Sequence, residues 1–468
     1  MTEHETGADL PVVVIGAGPA GLATAAHLLA RGLQPLVLEA GDQAGAAVRE
    51  WSHVRLFSQW SELVDRAAAA LLAPAGWTHP APTTYPTGKE WAELYLQPLA
   101  GALTGRVRYR TRVTGVARRG RDLLVGDGRD REPFVLHVRT ADGREDRLTA
   151  RAVIDASGTW SRPNPLGGDG LPALGEHDPR VTPRLTYRVP DLDDDTVRVR
   201  YAGRHIAVAG SGHSALTALV ALAELAQKQP GTRITWLVRR GTDAAVQAAF
   251  GGGSYDQLPA RGALGLRARA AVDSGAIDVR RGFRTSAVEF TETGALRLTA
   301  ESGQALEDVD EVIALTGFRP DLTWLSEVRL DLDPVLQAPR KLAPLIDPNV
   351  HSCGSVPPHG AAELATNEPG LYVVGMKSYG RAPTFLALTG YEQVRSVVAE
   401  LAGDHEAAAR VELELPETGV CGGSGLFDDD TDAGGGCCAP AISGPRVAVL
   451  AGTIGLRPSS DTATTGTC

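Results

Sequence analysis

Residues 12–22 read VVVIGAGPAGL, a short apolar run that leads into a glycine-rich turn. Gly16 permits a tight turn, Gly18 lets the backbone approach a pyrophosphate closely, and Gly21 lets the following helix pack on the strand. The N-terminus of that helix offers free N–H groups and the positive end of the helix dipole to the phosphates. The pattern predicts a strand, a dinucleotide-binding turn and a helix. The candidate ligand contacts of this turn are Gly16, Gly18, Pro19, Ala20 and Gly21.

Residues 205–215 repeat this arrangement as HIAVAGSGHSA. Gly210 and Gly212 take the places of the first two glycines, and Ala215 is the small residue that lets the helix pack. Two such motifs in one chain suggest an enzyme that holds two dinucleotides at once. We expect His213, within the second turn, to pack or hydrogen-bond near the phosphates rather than to catalyse. The candidate contacts of this turn are Gly210, Gly212, His213 and Ser214.

The residues after each turn indicate which dinucleotide it binds. The strand at residues 35–38 ends at Glu39, whose carboxylate can accept hydrogen bonds from a ribose diol and would repel a 2′-phosphate. That suits the adenosine half of FAD or of NAD. The strand at residues 233–238 ends at Arg239 and Arg240, and guanidinium groups offer charge-assisted donors to a 2′-phosphate. We therefore expect FAD at the first turn and NADPH at the second, with a solvated surface pair as the alternative for the two arginines.

Composition limits the class of protein. The chain has 468 residues, too many for one core, and its 43% hydrophobic and 22% charged residues are ordinary for a soluble globular protein of two or three domains. A net charge of −10 with 5% aromatic residues and no basic stripe argues against nucleic acid as a partner. Residues 12–30 are apolar, but glycines interrupt them and no basic leader precedes them, so they do not form a signal sequence. No other run approaches a membrane span, and we expect a cytoplasmic protein.

Metal and dithiol chemistry have little support outside the C-terminal segment. The 11 histidines form no H-x-x-x-H or H-E-x-x-H pattern, and none of the five cysteines stands in the C-x-x-C spacing of flavin-linked disulfide reductases. Cys421, Cys437 and Cys438 could bring three soft thiolates to trivalent arsenic or a similar soft metal ion, because flexible glycines flank them. A disordered tail with incidental thiols is the alternative.

Two similar segments mark passages between domains. Residues 152–160 read AVIDASGTW and lead into a proline-rich hinge at 163–165, and residues 311–320 read EVIALTGFRP. We therefore predict an α/β, two-dinucleotide-binding-domain flavoprotein, in which a Rossmann-like FAD domain carries an inserted Rossmann-like NADPH domain. The predicted bounds are 1–190 and 318–403 for the FAD domain, 191–317 for the NADPH domain, and 404–468 for a Gly- and Cys-containing tail that we expect to be flexible.

The chain from residue 10 to residue 402 resembles the class B flavoprotein monooxygenases. These include flavin-containing monooxygenases, and the resemblance is nearest to the flavin-binding monooxygenases of arsenic-resistance operons. Two family motifs are altered: the F-x-G-x-x-x-H fingerprint is not intact near residues 174–177, and Gly375-Met376-Lys377 stands where a Gly-Asp pair is usual. The stretches that carry the resemblance are the first turn with Glu39, residues 155–160 with 163–165, the second turn, and residues 316–320.

The resemblance implies an FAD-dependent, NADPH-using monooxygenase. Hydride would pass from NADPH to the flavin, and reduced flavin would add oxygen to form a C4a-hydroperoxyflavin that oxygenates a soft nucleophile such as sulfur, nitrogen or trivalent arsenic. The partners would be a small-molecule substrate and oxygen, with a role in arsenic resistance. No catalytic residue can be assigned. Further candidate cofactor contacts are Trp51, Val113, Ala156, Ser157, Gly158, Thr316, Gly317, Gly375 and Met376.

Other functions stay open at the level of sequence. The main alternative is an NADPH-dependent flavin oxidoreductase of the same fold that passes electrons to a non-oxygen acceptor, and a dinucleotide-binding sensor is a third. The oligomeric state is not determined, and a homodimer is one of the assemblies that the sequence allows. The candidates for the flavin face, each equally open to ordinary packing, are Phe57, Ser58, Gln59, Tyr85 and Arg381.

Overall fold

Two parallel β-sheets organise the chain in a computed structural model, which describes residues 10–256, 258–348, 356–383 and 385–413. The strands are, in chain order, β1 (Val12–Ile15), β2 (Pro35–Leu38), β3 (Val107–Arg108), β4 (Thr111–Arg118), β5 (Phe134–Thr140), β6 (Glu145–Ala150), β7 (Ala152–Asp155), β8 (Leu185–Thr186), β9 (His205–Ala209), β10 (Arg233–Val238), β11 (Asp278–Arg281), β12 (Thr285–Phe290), β13 (Leu296–Ala300), β14 (Ala305–Val309), β15 (Glu311–Ala314) and β16 (Leu371–Val373). The α-helices are α1 (Pro19–Ala30), α2 (Ala46–Arg49), α3 (Trp60–Leu63), α4 (Arg66–Leu72), α5 (Gly88–Trp91), α6 (Gln97–Ala102), α7 (Asp195–Tyr201), α8 (His213–Lys228), α9 (Asp243–Ala249), α10 (Pro259–Asp273), α11 (Ala343–Ile346), α12 (Ala361–Leu364), α13 (Ala387–Leu401) and α14 (His405–Ala409).

The first sheet carries the first glycine-rich turn. Its strands are all parallel and lie in the order β16-β7-β1-β2-β3. Val12 and Val14 pack on one face against α1 and α13, whereas Val13 and Ile15 pack on the other face against the antiparallel meander β4-β5-β6. Successive side chains of a strand point to opposite faces, so a strand covered on both faces needs an unbroken apolar run. This is why residues 12–15 read VVVI.

The second sheet repeats this plan. Its parallel strands lie in the order β11-β10-β9-β15-β8, with α8 and α10 on one face and the antiparallel β12-β13-β14 on the other. Trp236 of β10 is fully buried, and its indole N–H donates to Gly210 O at 2.7 Å, which holds the second turn on the sheet. The predicted fold class, with two Rossmann-like units, is confirmed.

The chain crosses between the units twice, and the two crossings lie side by side. The Asn164 N–H donates to Gly317 O at 2.9 Å. Trp160 and Phe318 stack beside this contact with ring centroids 4.7 Å apart, and the Arg188 guanidinium carbon lies 3.9 Å from the centre of the Trp160 ring. The outgoing and returning chains therefore form one short paired ribbon instead of two independent linkers.

Residues 166–186 lie with the second unit. Leu166, Ala173 and Val181 are buried in the core under β12-β13-β14, and β8 pairs with β15. The predicted inserted domain starts at residue 191, whereas these contacts lead us to propose a start at the first crossing, near residue 163. A strand of 2 residues, as β8 is, carries too short a pattern to be predicted from sequence.

The chain beyond residue 404 begins with ordered structure. α14 packs on α13: Ala407 and Ala408 are buried, and Ser396 Oγ donates to Ala408 O at 2.6 Å. The expectation of a flexible tail from residue 404 is therefore corrected for residues 404–413. Residues 414–468 lie outside the described part of the chain.

Candidate dinucleotide sites

The first turn lies at the carboxyl end of β1. Gly16 has φ = +101°, and a Cβ on Gly21 would lie 1.9 Å from Gly16 O, so both positions need glycine. At Gly18, by contrast, no heavy atom of the described residues lies within 4 Å of the position that a Cβ would take. α1 starts at Pro19 without a side-chain cap, so among the described residues no cap occupies the donors of its first turn. The turn offers open space and free donors where the sequence predicts a pyrophosphate.

Glu39 borders this turn from the end of β2. Its Oε2 accepts a hydrogen bond from the Ala17 N–H and its Oε1 accepts one from the Gly41 N–H, each at 2.7 Å. Two backbone donors thus hold the carboxylate at the edge of the turn, where a ribose diol would need an acceptor. The structure brings Glu39 and the first turn together.

A buried charged pair, which the sequence analysis did not predict, joins the end of β7 to the loop after β16. Lys377 Nζ lies 2.7 Å from Asp155 Oδ2, and neither side chain has exposed surface. Lys377 Nζ also donates to Ser157 Oγ at 3.1 Å and lies 4.2 Å from the centre of the Trp324 ring. Gly158 follows with φ = +69° and open space at its Cβ position. No local sequence signal predicts the pair, because Asp155 and Lys377 meet only where β7 and β16 lie side by side in the first sheet.

The loops after β7 and β16 close around the first turn. Gly375 has φ = +67°, and a Cβ there would lie 3.0 Å from Ala20 Cβ at the start of α1. A Cβ on Gly16 would lie 2.8 Å from Ala156 O. Met376 follows Gly375 and is half-buried. The structure therefore gathers the predicted contacts that follow β1, β7 and β16 at one edge of the first sheet.

Two predicted contacts have clear packing roles. Trp51 lies against Gly88, where a Cβ would come within 2.7 Å of its ring, and its centroid is 6.4 Å from that of Trp91. Val113 lies in β4 of the meander and is buried against the first sheet. Contacts of Trp51 or Val113 with a cofactor stay predictions.

The second turn has the same geometry as the first. Gly210 has φ = +124°, and a Cβ there would lie 2.3 Å from Leu315 O. The Cβ position of Gly212 has no heavy atom of the described residues within 4 Å, and α8 starts at His213 without a side-chain cap. Ser214 is exposed in the first turn of α8. This turn also offers open space and free donors to a phosphate.

Arg239 and Arg240 follow β10, the neighbour of β9 in the second sheet. Arg239 is exposed and Arg240 is half-buried, and Arg240 O accepts a hydrogen bond from the Gly282 N–H at 2.9 Å. Both arginines lie at the carboxyl edge of the sheet, which also carries the second turn, so they can reach the ribose end of a dinucleotide there. Binding of a 2′-phosphate stays a prediction.

Thr316 and Gly317 lie on the returning crossing. Thr316 Oγ1 donates to Asn164 O at 2.9 Å, and Thr316 O accepts a hydrogen bond from Asn164 Nδ2 at 2.9 Å. Gly317 has φ = +90°, in the region that favours glycine. The structure gives this pair a role in connecting the two units, and a cofactor contact stays a prediction.

His213 joins the second turn to the first unit. Its ring lies edge-on to Phe57 of the first unit, with centroids 5.4 Å apart. Burial, together with the positive charge of Arg261, lowers the pKa of His213 to about 4, against the opposing effect of Asp256. The imidazole is therefore neutral at physiological pH.

The other candidates for the flavin face are only partly brought together. Gln59 Nε2 donates to Tyr85 OH at 3.1 Å, whereas Arg381 is exposed. Ser58 lies between Phe57 and Gln59 and is half-buried. A flavin contact stays a prediction for all of these residues.

These residues fit two phosphate-bearing dinucleotides. Gly18 and Gly212 have open Cβ positions and stand before two helices that no side chain in the described part of the chain caps. A carboxylate borders the first turn and two arginines lie near the second. The arrangement can hold one dinucleotide on each unit, with the Phe57–His213 contact between them.

The chain belongs to the pyridine nucleotide-disulphide oxidoreductase family, whose model matches residues 13–353. Membership confirms the prediction of an oxidoreductase that uses FAD and a pyridine nucleotide. A comparison with curated proteins found no match.

Solved structures of several flavoproteins share the fold. The bacillithiol disulfide reductase Bdr (YpdA) from Bacillus cereus is 20% identical, with a TM-score of 0.61 over 84% of this chain and 99% of that one. The FAD-bound cadaverine monooxygenase DfoA from Erwinia amylovora is 14% identical, with a TM-score of 0.57 over 87% and 98%. The ornithine hydroxylase PvdA from Pseudomonas aeruginosa is 17% identical, with a TM-score of 0.54 over 86% and 100%. The predicted likeness to flavoprotein monooxygenases is confirmed at the level of the fold, which disulfide reductases share.

Two further observations bear on the sequence predictions. Cys421, Cys437 and Cys438, the predicted arsenic or soft-metal site, lie outside the described residues. Within the described residues, no helix has both the length and the apolar composition needed to cross a membrane.

Proposed function

We propose that the protein is an FAD-dependent, NADPH-using monooxygenase that oxygenates a soft nucleophile: a sulfur, nitrogen or trivalent arsenic compound. The observation that carries the proposal is the pairing of two equivalent turns on two units. Each turn is open at its second glycine and each precedes an uncapped helix, and the Phe57–His213 contact lies where the two units meet. A hydride donor on one unit can therefore face an acceptor on the other.

The assignment of each cofactor to its turn rests on charge. At the first turn, the fixed carboxylate of Glu39 suits the free ribose of FAD and disfavours a 2′-phosphate. At the second turn, Arg239 and Arg240 supply positive charge beside the ribose end, which favours NADPH over NADH. When bound, FAD supplies hydride acceptance and reaction with oxygen, while the chain positions it and excludes water.

Oxygen as the electron acceptor is supported by the chain's cysteines. The sequence lacks the C-x-x-C dithiol that accepts electrons from the flavin in thioredoxin-type reductases, so it offers no obvious dithiol acceptor. DfoA and PvdA, whose fold the chain shares, are a monooxygenase and a hydroxylase. The link to arsenic rests on the sequence alone, namely on the soft thiolates of Cys421, Cys437 and Cys438. The cytoplasmic location and a homodimer stay predictions.

The test is to follow oxygen atoms. The purified FAD-loaded protein is given NADPH, ¹⁸O₂ and, in turn, a trivalent organoarsenical, a thioether and an amine. We expect one of these to stimulate NADPH oxidation and to gain one ¹⁸O atom per NADPH consumed, while the second oxygen atom leaves as water. The contrary result is that every compound yields as much hydrogen peroxide as NADPH is consumed, and that the protein reduces quinones or ferricyanide rapidly. That result would establish the flavin oxidoreductase with a non-oxygen acceptor.

A further inference from the structure

His213 occupies an unusual position in the second turn. It is the first residue of α8 and directly follows Gly212, whose Cβ position is open. Within the described part of the chain, neither ring nitrogen of His213 has a hydrogen-bond partner; the ring packs on Phe57 from the other unit. The ring is half-buried, so its two nitrogens stay available to a ligand that binds at the second turn.

Burial and the positive charge of Arg261 keep the His213 ring neutral in the protein alone. The charged groups that act on it are Arg261 and Asp256, which pair with each other at 2.7 Å between Nη2 and Oδ1 and are both buried. Phe57, on the other side, carries no charge. Burial is the largest cause of the lowered pKa of His213, to about 4. An imidazolium at this place therefore lacks a counter-ion of its own.

A bound dinucleotide would supply that counter-ion. A pyrophosphate seated on the second turn brings two negative charges to the first residues of α8, and an opposite charge within hydrogen-bonding distance raises the pKa of a histidine by roughly 1–3 units. We propose that His213 takes up a proton from solvent when the nicotinamide dinucleotide binds, and that the imidazolium then donates a charged hydrogen bond to its phosphates. This inference rests on the proposed function, in which the second turn binds NADP(H).

Proton uptake fixes the sign of the pH dependence. The free protein has the lower pKa and the complex the higher one, so between the two values the complex carries one more proton than the free protein. In that window the dissociation constant falls up to about tenfold for each pH unit that the pH is lowered. Below about pH 4 the dependence on His213 disappears, because the ring is then protonated in both states.

The experiment is calorimetric titration of the oxidised, FAD-loaded protein with NADP⁺ in two buffers of different ionisation enthalpy, which counts the protons taken up. The 2′-phosphate itself titrates near pH 6, so a control is needed. His213→Asn keeps a polar side chain of similar size and cannot be protonated. We expect the wild type at pH 5.5 to take up about half a proton more per site than the variant, and the two to agree at pH 8.

A second ligand makes the test independent of the variant's folding. NAD⁺ has the pyrophosphate but lacks the 2′-phosphate, so proton uptake by the wild type on binding NAD⁺ must come from the protein. His213→Gln replaces the Asn variant if the latter loses FAD or fails to fold. Equal proton uptake in wild type and variant, with both binding NADP⁺, overturns the inference and leaves the proposed function intact. Failure of the wild type to bind NADP⁺ overturns the proposed function itself.

Discussion

Lys377 Nζ lies 2.7 Å from Asp155 Oδ2, with both side chains fully buried at the edge of the first sheet. Asp155 is the last residue of β7, and Lys377 lies just beyond the neighbouring parallel strand β16, where the Val374 N–H donates to Asp155 O at 2.9 Å. Ser157 completes the cluster: its N–H donates to Asp155 Oδ1 at 3.0 Å and its Oγ accepts from Lys377 at 3.1 Å. The pair thus ties together the two loops that close around the first dinucleotide turn.

Removing the lysine alone should therefore be costly. Lys377→Met leaves the Asp155 carboxylate buried without its counter-ion, and we expect a loss of about 3–5 kcal/mol in the free energy of unfolding, with a lower FAD content. Lys377→Met/Asp155→Asn removes both charges and should recover most of the loss. Urea unfolding and the flavin absorbance of the purified proteins measure both effects. A single variant as stable as the wild type, or a double variant no better than the single, contradicts this role.

Gly18→Ala and Gly212→Ala should each weaken the binding of one cofactor and leave the other unchanged. Gly18 has φ = −83° and Gly212 has φ = −82°, so alanine fits both backbones, and both Cβ positions are open. The added methyl would occupy the space of a bound pyrophosphate. We expect Gly18→Ala to weaken FAD binding at least tenfold and Gly212→Ala to do the same for NADP⁺ only, an effect of about 1.4 kcal/mol or more.

The matched control for these glycines is Gly101→Ala. Gly101 lies in α6, away from both turns, and its Cβ position is also open. Alanine favours a helix over glycine, so this variant should bind both cofactors normally. Measured dissociation constants that change equally in all three variants would show that the methyl groups act on stability and not on the phosphates.

Arg239→Gln/Arg240→Gln should change the preference between nicotinamide cofactors. If the two guanidinium groups bind the 2′-phosphate, the variant loses affinity for NADPH by tenfold or more and keeps its affinity for NADH. Arg233→Gln, at the opposite end of β10, is the control and should leave both affinities unchanged. Steady-state KM values for NADPH and NADH measure the change in preference. An unchanged ratio of the two means that the arginines form a surface pair.

Trp160 should control hydride transfer through the orientation of the units. Its indole N–H donates to Glu50 Oε2 at 2.8 Å, and its ring contacts Phe318 and Arg188. A displacement of about 1 Å between reacting groups can cost a factor of about 100 in rate. We expect Trp160→Ala to slow anaerobic flavin reduction by NADPH at least tenfold at unchanged FAD content, whereas Trp160→Phe, which keeps the ring stack, stays within about threefold. Equal rates in the two variants would count against this role.

The two turns could be predicted from sequence because the steric requirements of each motif are local to the motif. Gly16 and Gly210 must adopt positive φ, and Gly21 must approach Gly16 O, whatever the rest of the chain does. Glu39, the predicted contact of the ribose, follows at a spacing that one β-α-β unit dictates, and its carboxylate lies at the first turn as that spacing requires.

The contacts between distant segments could not be predicted in this way. Asp155 and Lys377 come together only because β7 and β16 are neighbours in the sheet, and Phe57 meets His213 only through the arrangement of the two units. Nothing local in either sequence segment specifies its partner. The proposed start of the second unit near residue 163 rests on the same kind of contact, since β8 joins that unit only by pairing with β15.

The most direct test of the account is the reaction of the reduced protein with oxygen. The FAD-loaded protein is reduced anaerobically, once with NADPH and once with dithionite, and then mixed rapidly with oxygen while the flavin spectrum is recorded. We predict a long-lived oxygenated intermediate that persists longer after NADPH reduction, because bound NADP⁺ excludes water from it. A direct return to oxidised flavin in both cases, with release of hydrogen peroxide, would contradict the assignment as a monooxygenase.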